Sequence, residues 1–141
     1  NVGYLTNQDG DSVVACGTGV TLTTIVKTGG SLDIQSNVTT LTNLAGDLMI
    51  RGAATVTTLN LNGGACYDES SGTFTTIHGY GIYDRRRSTQ AKTITTLNVY
   101  RGAEYHDPAG LITLTNGLHL NNCYITDAVL DLPVNKTLTI A

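Results

Sequence analysis

The chain has 141 residues and a formal net charge of −3, with only 13% of its residues charged. Threonine fills 24 positions, glycine 16 and asparagine 11, whereas glutamate occurs twice and tryptophan is absent. A helical bundle is excluded, because its helices would need Ala, Leu, Glu and Lys. A disordered chain is excluded by the 40% hydrophobic fraction. The net negative charge does not indicate nucleic-acid binding, which requires a basic surface. No apolar run reaches the ~20 residues that a membrane helix needs.

Three cysteines, Cys16, Cys66 and Cys123, lie far apart without CxxC spacing. We expect small buried hydrophobic side chains rather than a disulfide network. A single disulfide bridge between two of the three remains an alternative. The sequence begins at Asn1 without Met and has no signal-peptide pattern. It is therefore expected to be a processed product or a part of a longer chain.

Residues 1–19 carry no repeat and are predicted to form an N-terminal cap. From residue 20 an apolar–Thr–Thr–apolar tetrad recurs in steps of 16 to 20 residues. A glycine follows each tetrad, and a second apolar alternation follows the glycine, clearest in the first two units. The tetrads begin at Leu22, Val38, Val56, Phe74 and Ile94, with a degraded copy at Leu111.

A unit of this length is too short for a helix and a strand, but it suits one coil of a β-solenoid. Glycine supplies the positive φ of the tight turns, and stacked coils share one core. We predict an all-β, single-domain parallel β-helix of about six coils over residues 20–114. Residues 115–141 are predicted to close it. Strict hexapeptide periodicity is missing, so a right-handed helix is favoured.

Both apolar members of a tetrad can point inward only if the strand changes phase between its two threonines. One threonine of each pair then points outward. The sequence thus predicts two inward ladders, one formed by Val38, Val56, Phe74 and Ile94, the other by Leu41, Leu59, Ile77 and Leu97.

An arginine run in the longest repeat is predicted to bulge from the stack, close to several tyrosines on consecutive coils. Adjacent arginines can bind carboxylates or phosphates, and Tyr and Arg are enriched at protein interfaces. We expect this flank to contact a neighbouring subunit or a larger shell, with a homotrimer as the favoured state. The alternative is that the tyrosines only cap the core. The residues are Tyr80, Tyr83, Arg85, Arg86, Arg87, Tyr100 and Tyr105.

Other polar residues give weaker predictions. The three histidines lie in different coils, and no GxSxG motif occurs, so we expect no metal site, no cofactor and no hydrolase triad. A row of aspartates follows the glycine turns, and it could bind Ca²⁺ or cleave a glycosidic bond. Turn capping is the favoured role of these aspartates, and an enzyme is not expected. They are Asp33, Asp47, Asp68, Asp84 and Asp107.

Two alternatives remain open beside a structural role. One is a β-helix that binds or cleaves polysaccharide. The other is an ice-binding β-solenoid, in which rows of Thr-x-Thr present their hydroxyl groups on one face. The adjacent Thr-Thr pairs argue against that second alternative, because neighbouring side chains of one straight strand point to opposite faces.

The stretch YDRRRSTQAKTITTLNVYRGAEYHDPAGLITLTNG (residues 83–117) resembles the Thr/Gly-rich repeats of tailed-phage structural proteins. The closing DAVLDLPVNKTLTIA (residues 127–141) is similar to them. Such repeats occur in head-decoration, head-fibre and tail-fibre proteins. The resemblance is compositional over residues 20–141 and carries over no catalytic residue. It implies a virion structural protein on the particle surface, attached to capsid or tail proteins in one or three copies per site.

Overall fold

Two parallel sheets run along the molecule, and all but one pair of successive strands alternate between them. The computed structural model describes residues 2–17, 19–124, 128–133 and 140. These residues form an all-β solenoid of about six turns without a helix. The predicted fold class is confirmed.

Sheet 1 contains the longer strands, and its last two strands both pair with β11. They are β1 (Val2–Asn7), β3 (Thr21–Lys27), β5 (Asn37–Asn43), β7 (Val56–Leu61), β9 (Phe74–Gly79), β11 (Lys92–Val99), β13 (Ile112–Leu114) and β14 (Leu118–Leu120). Sheet 2 contains β2 (Asp11–Val14), β4 (Ser31–Ile34), β6 (Asp47–Ile50), β8 (Ala65–Asp68), β10 (Ile82–Asp84), β12 (Glu104–His106) and β15 (Val129–Asp131). Coil 1 comprises β1 and β2, each following pair forms the next coil up to coil 6, and coil 7 comprises β13, β14 and β15.

The solenoid begins earlier than the sequence predicts. Residues 1–19 were expected to form a cap, yet β1 and β2 pair in parallel with β3 and β4 and build a complete coil. Parallel pairing uses backbone groups, so it does not need the tetrad. Leu5 and Val14 supply apolar side chains against the core. The described part of the predicted closing segment also continues the stack, since β14 and β15 pair with β11 and β12.

The two inward ladders of the tetrads are confirmed. Val56 lies in register with Val38 below and Phe74 above, and all three are at most 2% exposed. Leu59 occupies the equivalent place in the second ladder and is 0% exposed. The first threonine of the tetrads of coils 2 to 5 is exposed and the second half-buried, so the strand changes phase between them.

A column of glycines forms the corner between the two sheets. Gly46 and Gly64 have φ angles of 75° and 68°, a conformation that side chains disfavour. A Cβ atom on either residue would also overlap the carbonyl oxygen of the glycine one coil below. Both requirements explain why glycine recurs after the tetrads.

Candidate functional site

The tyrosines of the predicted flank form two separate stacked pairs. Tyr80 and Tyr100 stack at the corner between the sheets, with ring centroids 3.8 Å apart and an interplanar angle of 13°. Tyr80 is 48% exposed, and the Tyr100 hydroxyl lies 3.3 Å from Nδ1 of His78. We call Tyr80 and Tyr100 the aromatic corner. It is a flat and amphipathic feature of coils 5 and 6, in which Tyr80 is exposed and Tyr100 half-buried.

The other pair, Tyr83 and Tyr105, corrects the sequence prediction. The two side chains are 2% and 3% exposed, and their ring centroids lie 5.8 Å apart inside the core. They continue the inward column that holds Leu48 and Cys66 in the coils below. Side chains of a strand alternate between its faces, so β10 turns Tyr83 into the core and Asp84 to the opposite face, where Arg86 pairs with it. Neither tyrosine is available to a partner.

Arg85 was predicted to lie at the surface, but it is 1% exposed. Its Nη1 lies 2.7 Å from Oδ2 of Asp68 and 3.2 Å from the carbonyl oxygen of Ser70. Its Nη2 donates to Ser88 Oγ at 2.8 Å. The loop after β10 therefore folds this arginine into the core, where a buried carboxylate compensates its charge.

Lys92 completes a buried charge cluster with Asp68 and Arg85. Its Nζ lies 2.6 Å from Oδ2 of Asp68 and 3.2 Å from the centroid of the Phe74 ring. The Tyr83 hydroxyl donates to the same carboxylate. Asp68 belongs to coil 4, Arg85 to coil 5 and Lys92 to coil 6, so the cluster joins three consecutive coils.

Burial and mutual attraction act in opposite directions on the pKa values of this cluster. Burial lowers the pKa of Lys92 to about 8, although Asp68 opposes this effect. Burial alone would raise the pKa of Asp68, but Lys92 and Arg85 outweigh it and keep the pKa below its ordinary value. Asp68 is therefore ionised, and two cations from the next two coils compensate its charge inside the core.

Arg86 and Arg87 are exposed, as the sequence predicts for them. Nη2 of Arg86 lies 2.6 Å from Oδ2 of Asp84, and the guanidinium of Arg87 lies 6.0 Å from the centroid of the Tyr67 ring. This basic patch (Arg86 and Arg87) lies beside the outward side chains of sheet 2. The aromatic corner lies beside His78 of sheet 1, so the predicted flank consists of two patches on different faces.

The five recurring aspartates do not form one row. Asp33 pairs with Arg51 at 2.8 Å, and Asp68 lies inside the core. Asp107 accepts hydrogen bonds from the backbone N–H groups of Leu111 and Ile112 at 3.0 and 2.9 Å. The predicted turn-capping role is confirmed for Asp107.

The histidines do not come together in one site. His106 lies between Glu104 and Asp131, at 3.1 and 3.2 Å, far along the chain from His78. Within the residues that the structure describes, no three His, Cys, Asp or Glu side chains converge as a metal site would require. In the same ranges no helix is long and apolar enough to cross a membrane.

The cysteines are free thiols. Cys66 is a buried core residue, as predicted, whereas Cys16 and Cys123 are half-buried. Cys16 borders a cavity of about 260 Å³ between the turns of the first coils. Its lining consists of small and uncharged residues, namely Cys16, Gly17, Gly19, Val20, Gln35, Ser36, Asn37, Ala53 and Ala54.

Sequence reasoning missed a second feature of the threonines. The residues on either side of the inward ladder from Leu22 to Leu114 form two outward columns over six coils. We call these twelve residues the threonine facet. Its columns are Thr21, Asn37, Thr55, Thr73, Thr93, Thr113 and Thr23, Thr39, Thr57, Thr75, Thr95, Thr115. The Thr-x-Thr spacing recurs in the sequence at Thr55, Thr73 and Thr93, and it was the signal that could have predicted the two columns.

No family model, curated protein or solved structure matches this chain.

Proposed function

We propose that this chain is a non-enzymatic structural protein of a tailed-phage particle, a capsid-decoration, cement or fibre component displayed at the particle surface. The observation that carries the proposal is the uninterrupted stack of parallel strands, which joins every coil to its neighbours through both sheets. The resemblance of residues 20–141 to phage repeats agrees with this role.

Such a stack suits a mechanical part. Each coil is joined to the next by backbone hydrogen bonds, so local unfolding requires that both sheets open together. The cluster of Asp68, Arg85 and Lys92 adds ion pairs across three coils, at 2.7 and 2.6 Å. A rod of this construction resists unfolding and proteolysis on an exposed particle.

Attachment to capsid or tail proteins is assigned to the aromatic corner, with the basic patch as a second contact. Tyrosine and arginine supply a large share of binding energy at protein interfaces. The stacked rings of Tyr80 and Tyr100 are rigid, so little conformational entropy is lost when a partner covers them. A homotrimer is the favoured assembly. Light scattering of the purified chain measures the molar mass in solution and so the number of copies.

Peptide mass spectrometry of purified particles of the encoding virus tests the proposal. We expect the chain among the particle proteins, and its absence from every particle preparation would overturn the proposal. Incorporation of the Tyr80→Ala and Arg86→Glu double variant is expected to fall at least tenfold. Tyr4→Ala is the matched control, because Tyr4 is 64% exposed on coil 1. Unchanged incorporation of the double variant would place the interface elsewhere.

A further inference from the structure

The threonine facet is a two-dimensional array of uncharged hydroxyl and methyl groups. Threonine occupies 11 of its 12 positions, and Asn37 is the exception. All twelve residues of the facet reach the surface, since eight are exposed and the other four half-buried. Leu22, Val38 and the residues above them are buried or half-buried between the columns. Within β3 and β11, strand alternation turns the threonines on either side of the inward residue outward, and Thr55, Thr73 and Thr115 lie directly beside a strand end.

The spacing of the array follows from the backbone. Equivalent threonines of neighbouring coils are about 4.8 Å apart, and the two members of one Thr-x-Thr are roughly 6.7 Å apart. In coils 3 to 5 the strand changes phase directly after the residue that ends the facet's segment, as at Thr57, which is exposed and is followed by the half-buried Thr58. The adjacent Thr-Thr pair therefore does not disturb the array. The second threonine of the pair follows the change of phase and lies outside the threonine facet.

Threonine is well suited to hold water in fixed positions. Its β-branched side chain is restricted at χ1, and stacking within a ladder restricts it further. Each hydroxyl group donates one hydrogen bond and accepts others, while each methyl group restricts the orientation of first-shell water. A charged side chain would orient water radially, and the facet contains none.

We propose that the threonine facet binds ice, by holding a layer of water in a lattice that merges with an ice surface. The facet covers only on the order of 200–300 Å², from its spacing. The facet contains no aromatic or arginine side chain of the kind that supplies most binding energy at protein interfaces, so a protein is a poor occupant. A soluble glycan would stack on aromatic rings, which lie at the aromatic corner instead. This inference does not depend on attachment to a particle.

Partition into slowly growing polycrystalline ice, together with freezing-point hysteresis, tests the inference on the full chain. We expect the chain to be enriched in the ice fraction and to give hysteresis above the buffer value. Thr57→Tyr combined with Thr75→Tyr is expected to reduce enrichment at least tenfold, because two bulky rings interrupt the array. Thr89→Tyr is the matched control, since Thr89 is exposed in the loop after β10.

A second variant separates loss of the hydroxyl groups from loss of the fold. Thr57→Val with Thr75→Val keeps the side-chain shape, and circular dichroism should match that of the parent chain. We expect a several-fold decrease in enrichment. Exclusion of the parent chain from ice, or equal enrichment of parent and both double variants, would overturn the inference. Retention on insoluble cellulose or chitin without ice enrichment would assign the facet to a polysaccharide instead.

Discussion

Asp68 stacks directly on Ile50 in an inward column of sheet 2, so a carboxylate occupies the place that the coil below gives to isoleucine. The same carboxylate contacts Arg85 of the next coil and Lys92 of the coil after that, at 2.7 and 2.6 Å. A buried charge costs free energy unless its counter-ions are in place, so this column requires all three residues together.

Removing the carboxylate should be strongly destabilising. Asp68→Ala leaves Arg85 and Lys92 buried without their shared counter-ion, and we expect a loss of about 3–5 kcal/mol in the free energy of unfolding. Urea unfolding measures it. Asp11→Ala is the control, because Asp11 is exposed at the start of β2 and its replacement should change stability by less than about 0.5 kcal/mol.

The same cluster permits the opposite test. Replacing all three charges at once, by Asp68→Ile, Arg85→Leu and Lys92→Met, should restore stability to within about 1–2 kcal/mol of the parent chain or exceed it. If the triple variant were as unstable as Asp68→Ala, the cluster would contribute more than compensation of buried charge.

Adjacent positions of one tetrad should respond very differently to the same substitution. Val56 is 1% exposed, so Val56→Asp buries an unpaired carboxylate and should lower the free energy of unfolding by several kcal/mol. Thr57→Asp places the same group in water and should cost less than about 1 kcal/mol. Thermal and urea unfolding of the two variants provide the comparison. Similar losses would mean that the phase change after Thr57 is misplaced.

Glycine substitutions separate backbone strain from close contact. Gly46 and Gly52 both have positive φ angles, 75° and 67°, but only at Gly46 would a Cβ atom meet the coil below. Gly52→Ala should therefore cost about 1–2 kcal/mol from the left-handed conformation alone. Gly46→Ala should cost clearly more. Equal losses in urea unfolding would show that the stacked carbonyl groups move aside.

Buried tyrosines should make the fold sensitive to alkaline pH. Burial raises the pKa of Tyr105 far above its ordinary value of 10.0, with Asp107 adding to the effect. Above pH 10.0 the unfolded chain ionises at this tyrosine whereas the folded chain does not, so folding stability falls as pH rises. Lys92 acts oppositely, because its pKa of about 8 lies below the 10.5 of a free lysine, and its contribution rises with pH between these values.

Tyr105→Phe should consequently lose stability less steeply than the parent chain between pH 10 and pH 11. This range lies just above 10.0, the ordinary pKa of a tyrosine, where the unfolded parent chain ionises at Tyr105. Lys92 is present in both proteins and cancels from the comparison. Tyr4→Phe, at an exposed position, should leave the slope unchanged. Urea unfolding at a series of pH values measures the slopes, and identical slopes for Tyr105→Phe and the parent would contradict the assignment.

The repeat by itself determined the architecture of this protein. The tetrads at Val38, Val56 and Phe74 predicted stacked coils, the inward ladders and the change of phase, because local periodicity reflects which side chains a strand can bury. The glycine after each tetrad predicted the corners for the same local reason. Prediction failed at residues 1–19, where backbone pairing extends the solenoid without the repeat.

The tertiary structure alone decided which polar residues reach the surface. Tyr83 and Arg85 are of residue types that are enriched at protein interfaces. The alternation within β10 and the loop after it nevertheless direct both side chains into the core beside Asp68. Whether a charge is buried depends on a counter-ion that lies 17 or 24 residues away in the sequence, and no local pattern specifies that partner. The threonine facet also required the stack, since its columns exist only when successive coils are placed in register.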